Sequence, residues 1–232
     1  RDWLLGRTHL FGRWATALSS LTNWVLGSSV LRGAFDRLLA IDKRRSLPAY
    51  EGQTFRQWFD GRRFAGEKKI AYFYGCYTNT NEVDVGVAVV QVLEKNGFEV
   101  IIPKQECCGV PLLGQGDLEG ARAAGIRNLR SLLPVVEAGY DIVFSSTSCG
   151  QMIRCEYPGL LKIAGADRLA AGAFDVCEYL MMLHDRGELN LDFQPRRERL
   201  PYHVPCHLRS MGIGLPALDL LRARGGELGV HA

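Results

Sequence analysis

The sequence predicts an α/β fold, and three observations lead there. Between residues 69 and 149, short apolar runs of strand length alternate with longer helical stripes, so the chain reads β-α-β-α-β. Each strand-like run ends on a cysteine or is followed closely by one. The pattern starts again near residue 200. The expected architecture is a three-stranded parallel β-α-β-α-β unit, followed by the start of a second repeat and preceded by an α-helical segment. The corresponding boundaries are residues 1–66, 67–195 and 196–232.

The first segment differs from the rest in composition. Residues 1–50 carry eight Lys/Arg against three acids, a charge of +5, whereas the remainder of the chain sums to −2. All four tryptophans (Trp3, Trp14, Trp24, Trp58) lie in the first 60 residues. Residues 14–31 hold no charge over 18 positions, near the length of a membrane span, but Thr16, Ser19, Ser20, Thr22, Asn23, Ser28 and Ser29 make the stretch too polar for hydrocarbon. Trp14, Leu18, Leu21 and Val25 fall on one helical face. A basic, tryptophan-bearing amphipathic helix suits a membrane interface; it also suits packing on the protein's own core or on another protein. "DRLLAIDKRRSL" (36–47) reads as a helix end and a basic turn. The whole chain is only +3, too mild to imply nucleic acid.

"KIAYFYGC" (69–76) reads as a buried strand ending at Cys76. "EVDVGVAVVQVLEKNG" (82–97) is a helix closed by Gly97. "FEVIIP" (98–103) is a second strand, followed by Cys107, Cys108 and Gly109. "DLEGARAAGIRNLRSLLPVVEAG" (117–139) is helical, with Pro134 expected to break or kink it. "YDIVFSSTSC" (140–149) is a third strand, leading to Cys149. "FDVCEYLMMLHDRGEL" (174–189) reads as a helix linking this unit to the next.

"GVAVVQVLEKNGFEVII" (86–102) aligns with "GLPALDLLRARGGELGV" (214–230) at an offset of 128; Gly86 matches Gly214, Gly97 matches Gly225 and Val100 matches Leu228. "LPYHVPC" (200–206) then parallels the first strand, and Cys206 is the counterpart of Cys76. At the same offset, a partner for Cys107 falls beyond Ala232.

Seven cysteines, with no secretory signal in residues 1–30, favour reduced thiols over a disulfide framework. In a parallel sheet the carboxyl ends of the strands share one edge, so Cys76, Cys107, Cys108 and Cys149 converge although 31 and 41 positions separate them in sequence. Helices starting after these turns would favour an anionic centre. A disulfide between neighbouring cysteines is strained. The paired C-x-x-C knuckles of a zinc site are absent. Four thiolates suit an iron–sulfur cluster, and adjacent sulfurs can reach two irons of it. Zinc and unliganded thiols remain open. Cys177 lies in an apolar stripe and reads as core, Cys155 as structural or a spare ligand, and Cys206 with His207 as the start of a second site. The region after the second strand lacks the G-x-G-x-x-G spacing of a phosphate loop, and no Ser/His/Asp arrangement appears.

A cysteine, a CCG some thirty positions on, a further cysteine about forty later, and the duplication together resemble the CCG (cysteine-rich) domain. That domain is shared by heterodisulfide reductase B-subunits, glycolate oxidase iron–sulfur subunits and lactate-utilisation proteins. More narrowly, "LAIDKRRSLPAY", "TFRQWF", "ECCGVPL", "SSTSC" followed by "EYP", and "YHVPCH" resemble the C-subunit family of anaerobic glycerol-3-phosphate dehydrogenases, over nearly the whole chain. The resemblance implies an iron–sulfur electron carrier with no catalytic residue of its own. It would pass electrons from flavin-containing dehydrogenase subunits toward membrane quinone, peripherally on the cytoplasmic side of the inner membrane, with residues 1–45 in membrane contact. It also implies a fragment lacking an N-terminal ferredoxin-like domain and the C-terminal end. One departure matters: Ser146 and Met152 stand where many such domains complete a C-x-x-C. The first half thus offers four ligands, which fits a conventional [4Fe–4S] cluster and puts a non-cubane one in doubt. Two other classes stand beside this reading: a heterodisulfide-reductase-like enzyme and a zinc-stabilised docking module.

Overall fold

The computed structural model describes residues 2–192 and 201–223. Its centre is a four-stranded, all-parallel sheet in the order β2-β1-β3-β4. β1 (Lys68–Phe73) pairs with β2 (Phe98–Ile101) on one side and β3 (Ile142–Phe144) on the other, and β4 (Ala173–Asp175) lies outside β3. The sequence pattern predicts only three strands. β4 escapes it because it is three residues long and runs straight into a helix. The Asp175 carboxylate accepts hydrogen bonds from the Cys177 and Glu178 backbone N–H groups, so the helix begins at Val176 and the three preceding residues are left to pair with β3.

Side chains alternate across the strands and split the core in two. Ile70, Tyr72 and Val143 face α5 (Phe55–Asp60) and α7 (Val83–Lys95). Ala71, Phe73, Ile142 and Phe144 face the opposite layer, built on α9 (Leu118–Glu137). Both faces of β1 are therefore covered, which is why it reads as an unbroken apolar run. Phe55 is fully buried against Tyr72 and Tyr74, with ring centroids 5.6 and 5.1 Å away. Burial of such a ring contributes about 2–3 kcal/mol. α5 is set by a capping box in which the Thr54 hydroxyl accepts from Gln57 N–H and the Gln57 side chain accepts from Thr54 N–H. Gly97, at φ +81°, turns α7 into β2.

α9 runs through Pro134 unbroken. The proline sits one turn from the end, and its own carbonyl still accepts from Ala138 N–H at 3.0 Å. Three one-turn helices line the carboxyl edge of the sheet: α6 (Gly75–Thr80), α8 (Val110–Gly114) and α10 (Thr147–Gln151). A π-helical turn, Met152–Glu156, and α11 (Ala166–Ala171) follow α10 and lead to β4 and then α12 (Val176–Asp185).

The helix expected across residues 14–31 is split. α1 (Asp2–Gly6) precedes α2 (Thr8–Ala17), α3 (Ser19–Gly27) and α4 (Ser29–Leu39), with breaks at Leu18 and Ser28. The stripe through Trp14, Leu18 and Leu21 is exposed, so it does not pack on this protein's own core. The same helices are nevertheless tied to the sheet. Arg7 pairs with Asp117 at 2.9 Å, and α2 closes on α6 where a Cβ on Gly12 would stand 3.1 Å from Thr80.

The stretch expected to be a strand before Cys206 forms none over residues 201–205. The chain instead enters α13 (Cys206–Ser210) and then α14 (Pro216–Ala223). Gly225, Leu228 and the rest of the second-repeat match lie outside the described residues.

Candidate metal centre

The strand order reverses at β1: the chain passes from β1 outward to β2, then crosses to β3 on the other side. In open parallel sheets the crevice at such a switch point, beyond the carboxyl ends of the strands, is where ligands bind. Cys76 follows β1, Cys107 and Cys108 follow β2, and Cys149 follows β3, so all four thiols reach that crevice. The Cys76 and Cys107 sulfurs lie 3.7 Å apart. Cys108, next to Cys107, and Cys149, after β3, stand at the same edge, close enough for each to raise the Cys108 thiol. Cys107, Cys108 and Cys149 are 5, 2 and 6% exposed, and Cys76 is half-buried.

Glycine makes the close approach possible at two turns. Gly75 has φ +74°, and a Cβ there would sit 3.0 Å from the Cys149 sulfur. Gly109 has φ +98°, with its Cβ position 3.2 Å from the Ala121 carbonyl and 3.4 Å from the Met152 methyl. A side chain at either position would strain the backbone and push into the thiol row or its support.

Three polar side chains fix the loops. Gln105 accepts from Tyr74 N–H at 3.0 Å and donates to the Tyr72 carbonyl at 3.0 Å, tying the β2 loop to the end of β1. Asn128, fully buried on α9, accepts from Glu106 N–H at 2.8 Å and donates to the Cys107 carbonyl at 3.1 Å. The Tyr157 hydroxyl donates to the Cys108 carbonyl at 2.8 Å, and burial holds it protonated by pushing its pKa well above the usual tyrosine value. Sequence reading misses all three. Asn128 alone carries a signal, being a polar residue on the apolar face of an amphipathic helix.

The thiols are unequal. Hydrogen bonds from Cys108 and Cys76, and smaller ones from His9 and Gly109 N–H, outweigh burial and draw Cys107 far below the ordinary thiol range. Cys76 and Cys108 are pushed up by donating to Cys107 and by burial. A metal centre bound here would take the place of the thiol protons. The donor set, four soft sulfurs in a row with glycine at the closest approaches, fits an iron–sulfur cluster. Among the described residues, no three His, Cys, Asp or Glu side chains are grouped as a single metal ion needs.

The other cysteines lie apart from the row. Cys177, on α12, packs in the opposite core layer, and burial lifts its thiol to about 12. Cys155 sits in the π-helical turn, its thiol raised mainly by burial. Cys206 is exposed at the start of α13. That helix docks on α10 through Ser148 Oγ to His207 Nδ1 at 2.9 Å and Ser210 to Gln151 at 2.7 Å, contacts the sequence does not foretell. Ser146 and the buried Met152 flank Cys149, so the structure adds no fifth thiol at either position.

Beside the row, between α2 and the turns carrying Cys76 and Cys107, lies a cavity of about 1070 Å³. No helix among the described residues is long and apolar enough to cross a membrane.

Comparison with known proteins adds one family match and three relatives. Residues 70–154 match the cysteine-rich (CCG) domain family. The chain is 33% identical to the C-subunit of anaerobic glycerol-3-phosphate dehydrogenase from Escherichia coli (strain K12), over 96% of its own length and 57% of that protein. It is 32% identical to the B-subunit of fumarate reductase (CoM/CoB) from Methanothermobacter marburgensis over 68% of this chain and 30% of that one, and 29% identical to an uncharacterized iron–sulfur protein of Methanocaldococcus jannaschii over 71% and 31%. The chain thus spans a little over half the length of the first of these relatives and about a third of the other two.

Proposed function

Residues 70–154 belong to the cysteine-rich (CCG) domain family, and from that premise we propose that this chain is an iron–sulfur electron-transfer subunit. It would serve an anaerobic glycerol-3-phosphate dehydrogenase. The observation that carries the reading is the grouping of four thiols, three buried and one half-buried, from three strand ends at the switch point of the sheet. In this reading Cys76, Cys107, Cys108 and Cys149 hold one [4Fe–4S] cluster, which supplies single-electron relay when bound. Cys206 begins a second site. Gln105, Asn128 and Tyr157 keep the loops from shifting as the charge of the centre changes. Burial keeps water from the sulfurs. Flavin-containing dehydrogenase subunits supply the electrons, and membrane quinone receives them.

The exposed face of α2 and α3 gives the membrane side of the proposal. Trp14 is 75% and Trp24 65% exposed, and Arg13, Arg32 and Arg37 lie along the same segment. An interfacial contact with anionic lipid on the cytoplasmic side of the inner membrane satisfies both the rings and the charges.

Anaerobic addition of glycerol 3-phosphate to the complex with its flavin subunits tests the proposal. The reduced-cluster EPR signal should appear within the enzyme's turnover time, and only when the flavin subunits are present. A cluster that dithionite reduces and glycerol 3-phosphate does not would remove this dehydrogenase as the electron source.

A further inference from the structure

The first two helices are clamped over both cysteine turns. At Gly6, the end of α1, a Cβ would stand 3.5 Å from Leu112 and 3.6 Å from the Pro111 carbonyl, so this end of the helix lies against α8, just after Cys107 and Cys108. Arg7 then pairs with Asp117 at 2.9 Å, and Gly12 closes α2 on α6, the helix that carries Cys76. His9 falls between these anchors, near the start of α2. It lines the same cavity as Cys76 and Cys107, and its ring stands close enough to Cys107 to bear on that thiol. Its Nδ1 is buried without a hydrogen-bond partner. Buried polar groups are nearly always bonded, and an imidazole carries at least one N–H in either charge state. The carboxylates in the same lining are already engaged, Asp60 by Arg56 and Glu106 by Arg127. Sulfur is the acceptor left to His9.

We propose that His9 is a positioning residue of the metal centre: its N–H donates to the Cys107 sulfur and so sets how readily the centre accepts an electron. This rests on the electron-transfer reading given above. A donor stabilises a thiolate sulfur more as the centre gains negative charge, so it favours the reduced form. One electron enters, no bond breaks, and the proton stays on the imidazole. The four thiols are unequal in this respect. Cys108 and Cys149 belong to the apolar core layer on α9, whereas Cys107 and Cys76 face α2 and its polar groups. The donor thus reaches the centre from its one polar side. α2 also presents Leu10 and Trp14 outward, so whatever docks on that face acts on the helix that carries the donor.

The test uses the iron-loaded chain, with its reduction potential measured by anaerobic redox titration followed by EPR. His9→Leu keeps an apolar bulk and removes the donor, and His9→Gln keeps an N–H at similar reach. The leucine variant should lower the equilibrium constant for one-electron reduction about tenfold, a fall of about 59 mV. The glutamine variant should recover most of that loss, and His184→Leu, on α12, should leave the potential unchanged. Isotopic nitrogen labelling of histidine adds a reading that a merely structural role would not move: the reduced centre should show a histidine nitrogen coupling in pulsed EPR that His9→Leu removes and His184→Leu keeps. An unmoved potential in His9→Leu, an equal fall in both His9 variants, or a coupling that survives His9→Leu would overturn the role. Loss of iron from His9→Leu alone would make His9 a ligand and overturn it as well. Iron and sulfide content of the unsubstituted protein report separately on the electron-transfer reading. Absent iron there removes that reading, whereas full iron with an unmoved potential removes the role of His9 alone.

Discussion

The turn at Cys76 and the turn at Cys206 are built alike and end differently. In each, a cysteine opens a one-turn helix that leads into a longer one, α6 into α7 and α13 into α14. At the first, β1 delivers the turn to the sheet edge, and the neighbouring strands bring Cys107 and Cys149 up against it. At the second, residues 201–205 pair with nothing in the sheet, and Cys206 is exposed. Local sequence therefore makes the turn, but the site comes from the strands on either side. A cysteine motif gains its chemistry only when parallel neighbours present the other thiols at the same edge.

The comparison breaks most sharply at the thiols. Cys108→Ser should cost the protein most of its bound iron or convert the cluster, whereas Cys206→Ser and Cys177→Ser should leave the first site intact; iron analysis and EPR on the three variants decide it. Equal losses would show that the row is not the ligand set. The next largest effect is expected at Asn128. Asn128→Leu strands the Glu106 N–H and the Cys107 carbonyl, and it should destabilise the fold by about 2–4 kcal/mol in urea unfolding.

Glycine sharpens the contrast further. Gly75 and Gly214 share a positive φ, +74° and +77°, but only at Gly75 does a side chain meet a thiol. Gly75→Ala should cost about 2 kcal/mol and weaken iron retention. Gly214→Ala should cost about 1 kcal/mol, the backbone strain alone, with iron unaffected.

The segment joining the two regions carries a pH signature. Burial raises the Asp175 carboxyl from 3.8 to about 6, against the two backbone N–H groups that favour its charge. The folded state then keeps a proton that the unfolded chain has already released. Stability from this group is full below about pH 4 and is lost as pH rises through about 6, an effect on the order of 2 kcal/mol. Asp175→Asn retains the capping oxygen, since a single carboxylate oxygen accepts both bonds, and should flatten that slope and stabilise the protein at pH 7. The smallest effect is expected at His207. His207→Ala removes the bond to Ser148 that docks the second turn on the first, and should cost under about 1 kcal/mol.

What the sequence made legible follows from range. Alternating strand and helix patterns are local, so β1 to β3, α7 and α9 are readable from them, and the parallel sheet then dictates that Cys76, Cys107, Cys108 and Cys149 meet. β4 is too short to show a period, and its boundary is drawn by the Asp175 cap. Gln105 and Tyr157 look like ordinary loop residues until tertiary structure places them under the backbone of the cysteine turns. The exposed face of α2 follows from the break at Leu18, which a continuous stripe of apolar residues conceals.

The most direct measurement is iron and acid-labile sulfide analysis of the anaerobically prepared protein, with EPR of the dithionite-reduced sample. Convergence of the four thiols predicts about four irons and four sulfides per chain and a reduced [4Fe–4S] spectrum. A folded protein that takes up no iron after reconstitution, or carries zinc in its place, would contradict the assignment of the row.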